Sequence, residues 1–122
     1  MADNKQYITQ TQENGAVMIS EDVIATIASH AANEVEGVVG LSVKPGADIA
    51  ELIGKKNWGK GVKIIIDESG KLFIECNIII SYGQSVVTVA KNVQDAVTNA
   101  VESLIGVEIE TINVNVCGID RQ

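Results

Sequence analysis

Apolar residues recur with helical spacing from Ser85 onward, and the rest of the chain can be arranged around this stretch. An apolar residue at every third or fourth position is typical of a helix that buries one face. Ser85 is a suitable N-cap and Gly106 a suitable left-handed stop, so both ends of the helix are marked. The predicted buried face consists of Val86, Val89, Ala90, Val93, Val97, Ala100, Val101 and Leu104.

A second helix is predicted after Ser20, which is a suitable cap. Glu21 and Asp22 follow in the first turn, where acidic side chains are stabilised by the positive end of the helix dipole. Gly37 is predicted to end the segment. Its apolar residues again keep helical spacing, at Ile24, Ile27, Ala28, Ala31 and Val35.

Alternating apolar residues predict two strands joined by a tight turn that contains Gly70. The first strand runs over Gly61–Asp67 and the second over Leu72–Ser81, so the two form a hairpin. We expect the even-numbered positions, which share one face, to lie against the helices. Further strands are predicted over Val38–Val43 and Val107–Val116.

These elements predict an α+β fold in two layers, with a three- to four-stranded mixed sheet and two main helices on one face. A short extra helix is predicted near residues 47–53. The last strand has two possible neighbours. It can pair antiparallel with Gly61–Asp67 or parallel with Leu72–Ser81, and the first arrangement is favoured because sequential hairpin strands stay paired.

Composition indicates one domain, because 122 residues with a hydrophobic fraction of 46% are enough for a single core. Aromatic residues make up only 3%, so this core must be built from Val, Ile, Ala and Leu. We expect a flexible tail over residues 1–14, with at most a late edge strand. The domain then occupies residues 15–119, and residues 120–122 form a second tail.

Charge and hydropathy restrict the predicted cellular location and the classes of possible partner. A formal net charge of −7 argues against general nucleic-acid binding, since phosphates would be repelled. No apolar run reaches the roughly 18 residues of a membrane span, and no leader sequence opens the chain. The sequence therefore predicts a cytoplasmic protein that associates with a membrane only through a partner.

No group of residues supports catalysis, metal binding or a cofactor. The only histidine, His30, lies about 120° from the centre of its helix's apolar stripe, without a nearby Ser or Cys to activate. Glu108 and Glu110 are interpreted as solvated groups at a strand edge. Cys76 and Cys117 fit neither a disulfide framework nor a metal-binding spacing.

One candidate interaction site is a basic loop that carries the only tryptophan, with Lys55, Lys56, Trp58 and Lys60. The simpler interpretation is a solvated loop in which Trp58 closes one edge of the core. The functional interpretation is an adhesion patch for an anionic partner or a membrane surface.

The second candidate is the sheet face turned away from the helices, where Ile65, Phe73 and Ile79 are too apolar for a purely solvated surface. Either another segment of the chain, such as the N-terminal tail, covers them, or they contact another subunit. Polar residues and one cysteine are predicted on the same face: Lys63, Glu75, Asn77, Asn113, Asn115 and Cys117.

Five stretches in order, GAVMISEDVIATIA, EVEGVVGL, GKGVKI, IIISYGQSVVTVAKNVQDAV and GVEIETINVNVCGI, resemble the alkaline shock protein family of Gram-positive bacteria. That family is also called the envelope stress response family. The similarity runs from Gly15 to Ile119, and the Ala47–Asn57 stretch is similar to a subgroup often encoded beside a fatty-acid kinase.

The resemblance implies a non-enzymatic, self-associating scaffold or accessory protein in envelope stress or homeostasis. Some members of the family are held at the membrane by a separate anchor protein. A regulatory partner of a lipid-metabolism enzyme, acting by direct protein contact, is the alternative. The family offers no catalytic residues to assign to this chain.

Overall fold

A computed structural model describes residues 7–42 and 61–121 of the chain. It confirms the α+β class, with a two-stranded sheet, a four-stranded mixed sheet and two helices. The short helix predicted near residues 47–53 lies outside the described residues. In chain order the elements are β1 (Tyr7–Gln12), β2 (Gly15–Ser20), α1 (Glu21–Asn33), β3 (Val38–Leu41), β4 (Val62–Ile66), β5 (Leu72–Ser81), α2 (Val86–Ile105) and β6 (Ile109–Asp120).

Strand β5 is the centre of the larger sheet. β6 pairs with it in parallel along one edge, while β3 and β4 pair antiparallel along the other edge, end to end. The two short strands meet at Asn77, whose carbonyl accepts from the Ser42 N–H at 3.0 Å and whose N–H donates to the Gly61 carbonyl at 2.9 Å. The chain therefore leaves this edge after Ser42 and rejoins it at Gly61.

The pairing of β6 corrects the arrangement that the sequence favoured. β6 lies parallel to β5, not antiparallel to the strand that begins near Gly61. The lengths explain the difference, because β6 has 12 residues and β4 only 5, whereas β5 offers 10. A partner on β5 therefore satisfies more of the backbone groups of β6. The intervening 20-residue helix α2 is long enough for the crossover that a parallel pair requires.

Both predicted ends of α2 are confirmed. The Ser85 hydroxyl accepts a hydrogen bond from the Thr88 N–H, and Gly106 adopts a left-handed conformation at φ 83°. The Gly106 N–H donates to the Glu102 carbonyl at 3.0 Å. These contacts satisfy backbone groups that a helix end leaves without partners, so the sequence itself sets the limits of α2.

The buried face of α2 is narrower than its predicted apolar stripe. Val86 and Leu104 are 41% and 70% exposed, although the sequence placed both inside. The buried residues are spaced four apart, whereas Val86 and Leu104 lie three residues from Val89 and Val101 and so about 60° away from those side chains around the helix. The buried side chains with the four-residue spacing are Val89, Val93, Val97, Val101 and Ile105.

The N-terminal region contains an edge strand of the kind that the sequence allowed. From Tyr7 onward the predicted tail is strand β1, which pairs antiparallel with β2, whereas residues 1–6 lie outside the described residues. Ile8 is buried in the core, and the Gln10 side chain donates from Nε2 to the Ile105 carbonyl at 2.7 Å. These two contacts hold the β1–β2 hairpin against the end of α2. Ser20 then caps α1, as predicted.

The even-numbered face of the hairpin forms the floor of the core, as the sequence predicted. Its side chains are all at most 6% exposed and pack with the apolar faces of both helices. Burial of this kind is the main favourable contribution to folding. The residues concerned are Val62, Ile64, Ile66, Leu72, Ile74, Cys76, Ile78 and Ile80.

Cys76 is the one ionisable group among these core side chains. Burial raises the pKa of its thiol from 9.0 to about 12, and the charge of the neighbouring Glu75 carboxylate adds to the effect. Desolvation disfavours a thiolate, so the folded protein keeps this thiol protonated.

We expect Val93→Asp to unfold the domain, because Val93 is fully buried and an unpaired carboxylate there costs several kcal/mol. That cost is comparable to the whole stability of a small domain. Asn92→Asp adds the same charge on the exposed side of α2 and should change stability by less than about 0.5 kcal/mol. Thermal unfolding followed by circular dichroism compares the two. Similar melting temperatures would contradict the position of Val93 in the core.

We expect Cys76 to make the protein less stable in alkali. The unfolded chain releases the thiol proton near pH 9.0 and the folded chain only near pH 12, so the stabilisation is complete below pH 9.0 and is lost as the pH rises toward 12. Between about pH 8 and about pH 10.5, the free energy of unfolding should therefore fall by roughly 2 kcal/mol less in Cys76→Val than in the wild type.

Urea unfolding at a series of pH values measures this difference. Cys117→Val is the control, because Cys117 is only half-buried and the substitution should leave most of the alkaline loss in place. Equal pH slopes for the wild type and Cys76→Val would contradict the prediction.

Candidate functional site on the outer face of the sheet

The outer face is the side of the four-stranded sheet that is turned away from the helices. Its residues form rows across the strands, and the first row joins Ile65, Phe73 and Thr111. Ile65 is 41% exposed and Phe73 is half-buried, so the structure brings these two predicted contact residues together. Ile79 lies six residues further along β5, about 20 Å from Phe73. The predicted apolar set is therefore divided between the two ends of the face.

Polar side chains fill the middle of the outer face. Lys63, Glu75 and Asn113 form the second row, and Asn77 and Asn115 form the third. The Asn115 amide donates from Nδ2 to Glu75 Oε2 at 2.7 Å and to Asn77 Oδ1 at 2.8 Å. These hydrogen bonds tie β5 to β6 through their side chains as well as through the backbone.

Asn77 is the one residue of this network that is fully buried. Its Oδ1 accepts from Asn115, but its Nδ2 has no hydrogen-bond partner in the described part of the chain. Because the Asn115 amide acts as the donor in both of its hydrogen bonds, Asn77 must turn its Oδ1 toward Asn115 and its Nδ2 away from it. A buried donor without an acceptor is destabilising, so this position is a cost that the rest of the fold offsets.

The fourth row is centred on Ile79 and is bounded by two β-bulges. On β3 the register changes between Val38 and Gly40, and Gly40 pairs with Ile79. On β6 the register changes so that Gly118 pairs with Ile79. Sequence reasoning missed both bulges, although a glycine inside an otherwise apolar strand was an available signal.

A shallow depression of about 330 Å³ lies beside the first and second rows. Its apolar walls come from Ile65, Phe73 and Ile74, while one cation and one anion stand at its rim, on Lys63 and Glu75. It holds no group of nucleophiles or acid–base residues. The depression therefore fits contact with an apolar side chain better than chemistry on a substrate.

The remaining candidate residues do not form a reactive site. His30 Nε2 lies 3.1 Å from Glu34 Oε2 on the exposed side of α1, one helical turn apart. Cys117 is half-buried, and burial raises the pKa of its thiol. In residues 7–42 and 61–121 no three His, Cys, Asp or Glu side chains are placed to hold a metal ion. Lys55, Lys56, Trp58 and Lys60 lie outside the described residues.

Between residues 7 and 42 and between 61 and 121, no helix is both long and apolar enough to span a membrane.

Two solved structures share this fold. The chain superposes on two variants of the MamM CTD with TM-scores of 0.53 and 0.51, covering 83% and 84% of this chain and 96% of each of theirs. Sequence identity is 14% and 18%, so the similarity concerns the fold alone.

Sequence relatives are closer. YloU of Bacillus subtilis (strain 168) is 35% identical over 109 residues, which cover 86% of this chain and 88% of YloU. Spy1614 of Streptococcus pyogenes serotype M6 is 33% identical, with coverage of 88% and 89%. YqhY of Bacillus subtilis is 33% identical, with coverage of 86% and 77%. All three are described as uncharacterized proteins.

A family model matches residues 9–121, which is nearly the whole chain, and this match confirms the family resemblance seen in the sequence. The chain therefore belongs to the alkaline shock protein 23 family, which is described as having a cell envelope-related function.

Proposed function

We propose that this protein is a non-enzymatic scaffold or accessory protein of envelope homeostasis, and that it self-associates through the outer face of its sheet. The observation that carries the proposal is the apolar surface at both ends of that face, where Ile65, Phe73 and Ile79 lie. Isolated apolar side chains are normal on a protein surface, but a sheet face with apolar residues at both ends favours a partner.

Charge supports a second copy as the partner. The protein has a net charge of −7, so two copies repel each other over most approaches. In its centre the outer face carries Lys63 and Glu75, which are cross-strand neighbours of opposite sign, while Glu110 and Asp120 lie at its two ends. The centre of the face therefore has no net charge, so contact between two copies is opposed less here than elsewhere on the surface.

The polar middle of the face suits a reversible contact. Interfaces between proteins that associate and separate have apolar cores interspersed with polar groups, in proportions close to those of an ordinary surface. The network of Glu75, Asn77 and Asn115 keeps the monomer soluble when the face is open. Its hydrogen bonds are already made within the chain, so covering most of them costs little.

The cellular setting forms part of the same proposal. The protein acts in the cytoplasm and reaches the membrane through a separate partner. The envelope-related description of the family supports this setting.

We expect Phe73→Lys and Ile79→Lys, separately and together, to weaken self-association while the monomer stays folded. Both side chains lie on the outer face, so the new ammonium groups would be desolvated only in the assembly. The dissociation constant should rise about 10- to 100-fold for each. Sedimentation velocity over a range of concentrations measures it, and circular dichroism checks the fold.

Asn99→Lys is the matched control, because it places the same charge at an exposed position of α2. It should leave the dissociation constant within about threefold of the wild-type value. A wild-type protein that stays monomeric at millimolar concentration would refute self-association, and a different protein would then be the partner. The lipid-metabolism enzyme raised by the sequence is the first one to test by affinity capture.

A further inference from the structure

Ile79 stands between two glycines that belong to different strands. It pairs with Gly40 of β3 on one side and with Gly118 of β6 on the other, and each glycine lies in a β-bulge. Val39 and Cys117 are the extra residues of the two bulges. These five residues, Val39, Gly40, Ile79, Cys117 and Gly118, are called the bulge patch below.

The backbone does not require glycine at either position. Neither Gly40 nor Gly118 has a positive φ, so an L-residue can adopt both conformations without strain. Glycine weakens a strand because it loses more backbone freedom on folding and has no side chain to pack. Some other constraint must therefore account for the two missing side chains.

Crowding by residues 7–42 and 61–121 does not supply that constraint. A Cβ atom on Gly40 would meet no described atom within 4 Å, and one on Gly118 would lie 3.9 and 4.0 Å from carbons of Ile79, which is ordinary contact. Gly61 shows the contrast, because a Cβ there would lie 2.7 Å from the Leu41 Cβ. Gly61 is explained by its neighbours, whereas no described neighbour accounts for Gly40 or Gly118.

The shape of the bulge patch is that of a projection with a gap on either side. Ile79 is a branched apolar side chain, and the positions beside it carry no side-chain atoms. Val39 is 50% exposed and Cys117 is half-buried, so the patch is open and bears no charge. A neighbouring apolar side chain can therefore enter over either glycine and contact Ile79 directly.

We propose that the bulge patch is the contact point between two copies of this chain, with Ile79 of each copy lying over Gly40 or Gly118 of the other. This inference rests on the proposed self-association and names the residues that position it. A two-fold interface joins the same surface of two subunits, so that surface must complement itself. The bulge patch does so, because it carries both the projection and the gaps that receive it.

The available area is consistent with a second copy. β5 has 10 residues and one layer of strands along each edge. These three strand widths form a face of about 33 by 14 Å, or roughly 500 Å². Two such faces in contact bury about 1,000 Å², which is near the lower limit for a specific interface. The bulge patch alone is too small, so the contact extends along the face toward Phe73.

The test fills the gaps with side chains of increasing size. Gly118→Ala, Gly118→Gln and Gly40→Gln should all fold, because neither position is crowded or strained. The dissociation constant measured by sedimentation should rise with side-chain size at position 118. It should be at least tenfold higher for each Gln variant than for the wild type. Ser103→Gln adds similar bulk at an exposed position of α2 and should have no effect.

Native thiols give a direct readout, since Cys117 lies in the bulge patch and Cys76 is fully buried. A short bismaleimide should link two wild-type chains, and the link should disappear in Cys117→Ser and weaken in Gly118→Gln. Association that is unchanged in both Gln variants but lost in Phe73→Lys would overturn the bulge patch and leave the proposed function standing. A monomeric wild type would overturn both.

Discussion

The alternation of side chains along β5 is the constraint on which the rest of the structure depends. Its even-numbered residues are almost fully excluded from solvent beneath the helices, while its odd-numbered residues form the outer face. A shift of one residue in the pairing would exchange the two sets. Because β5 has strands on both edges, β3 and β4 on one and β6 on the other, its register also fixes where the other three strands of this sheet present their side chains.

The sequence predicted the parts of the fold that depend on local pattern. The alternation around Ile74 and Ile78 identified the core face of β5, and Ser85 with Gly106 marked the ends of α2. The sequence did not predict the neighbour of β6, because both candidate strands offered compatible faces. The choice of neighbour depended on the lengths of the paired strands, and these lengths are visible only in the folded sheet.

The sequence also predicted only part of the candidate site. Ile65 and Phe73 were assigned to one face from their phase alone, and the structure pairs them directly. The bulges beside Ile79 could not be derived from phase, because a bulge is a relation between two strands in register. The glycine signal was present in the sequence at Gly40 and Gly118, but its meaning depends on finding that neither residue is crowded.

The apolar residues of the outer face lie at its two ends, and each end adjoins a register shift between β5 and β6, at Leu72/Phe73 and at Ile78/Ile79. Away from the bulges the strands keep a strict register, and the third row holds Asn77 and Asn115, whose side chains bond to each other. Asn77 is fully buried and its Oδ1 is already hydrogen-bonded to Asn115, so this row presents no apolar side chain to a partner. Contact with another molecule is therefore favoured at the rows beyond it. The row of Ile79 is the one where the bulges and glycines allow a close approach, so the same irregularities that interrupt the sheet give this surface its specificity.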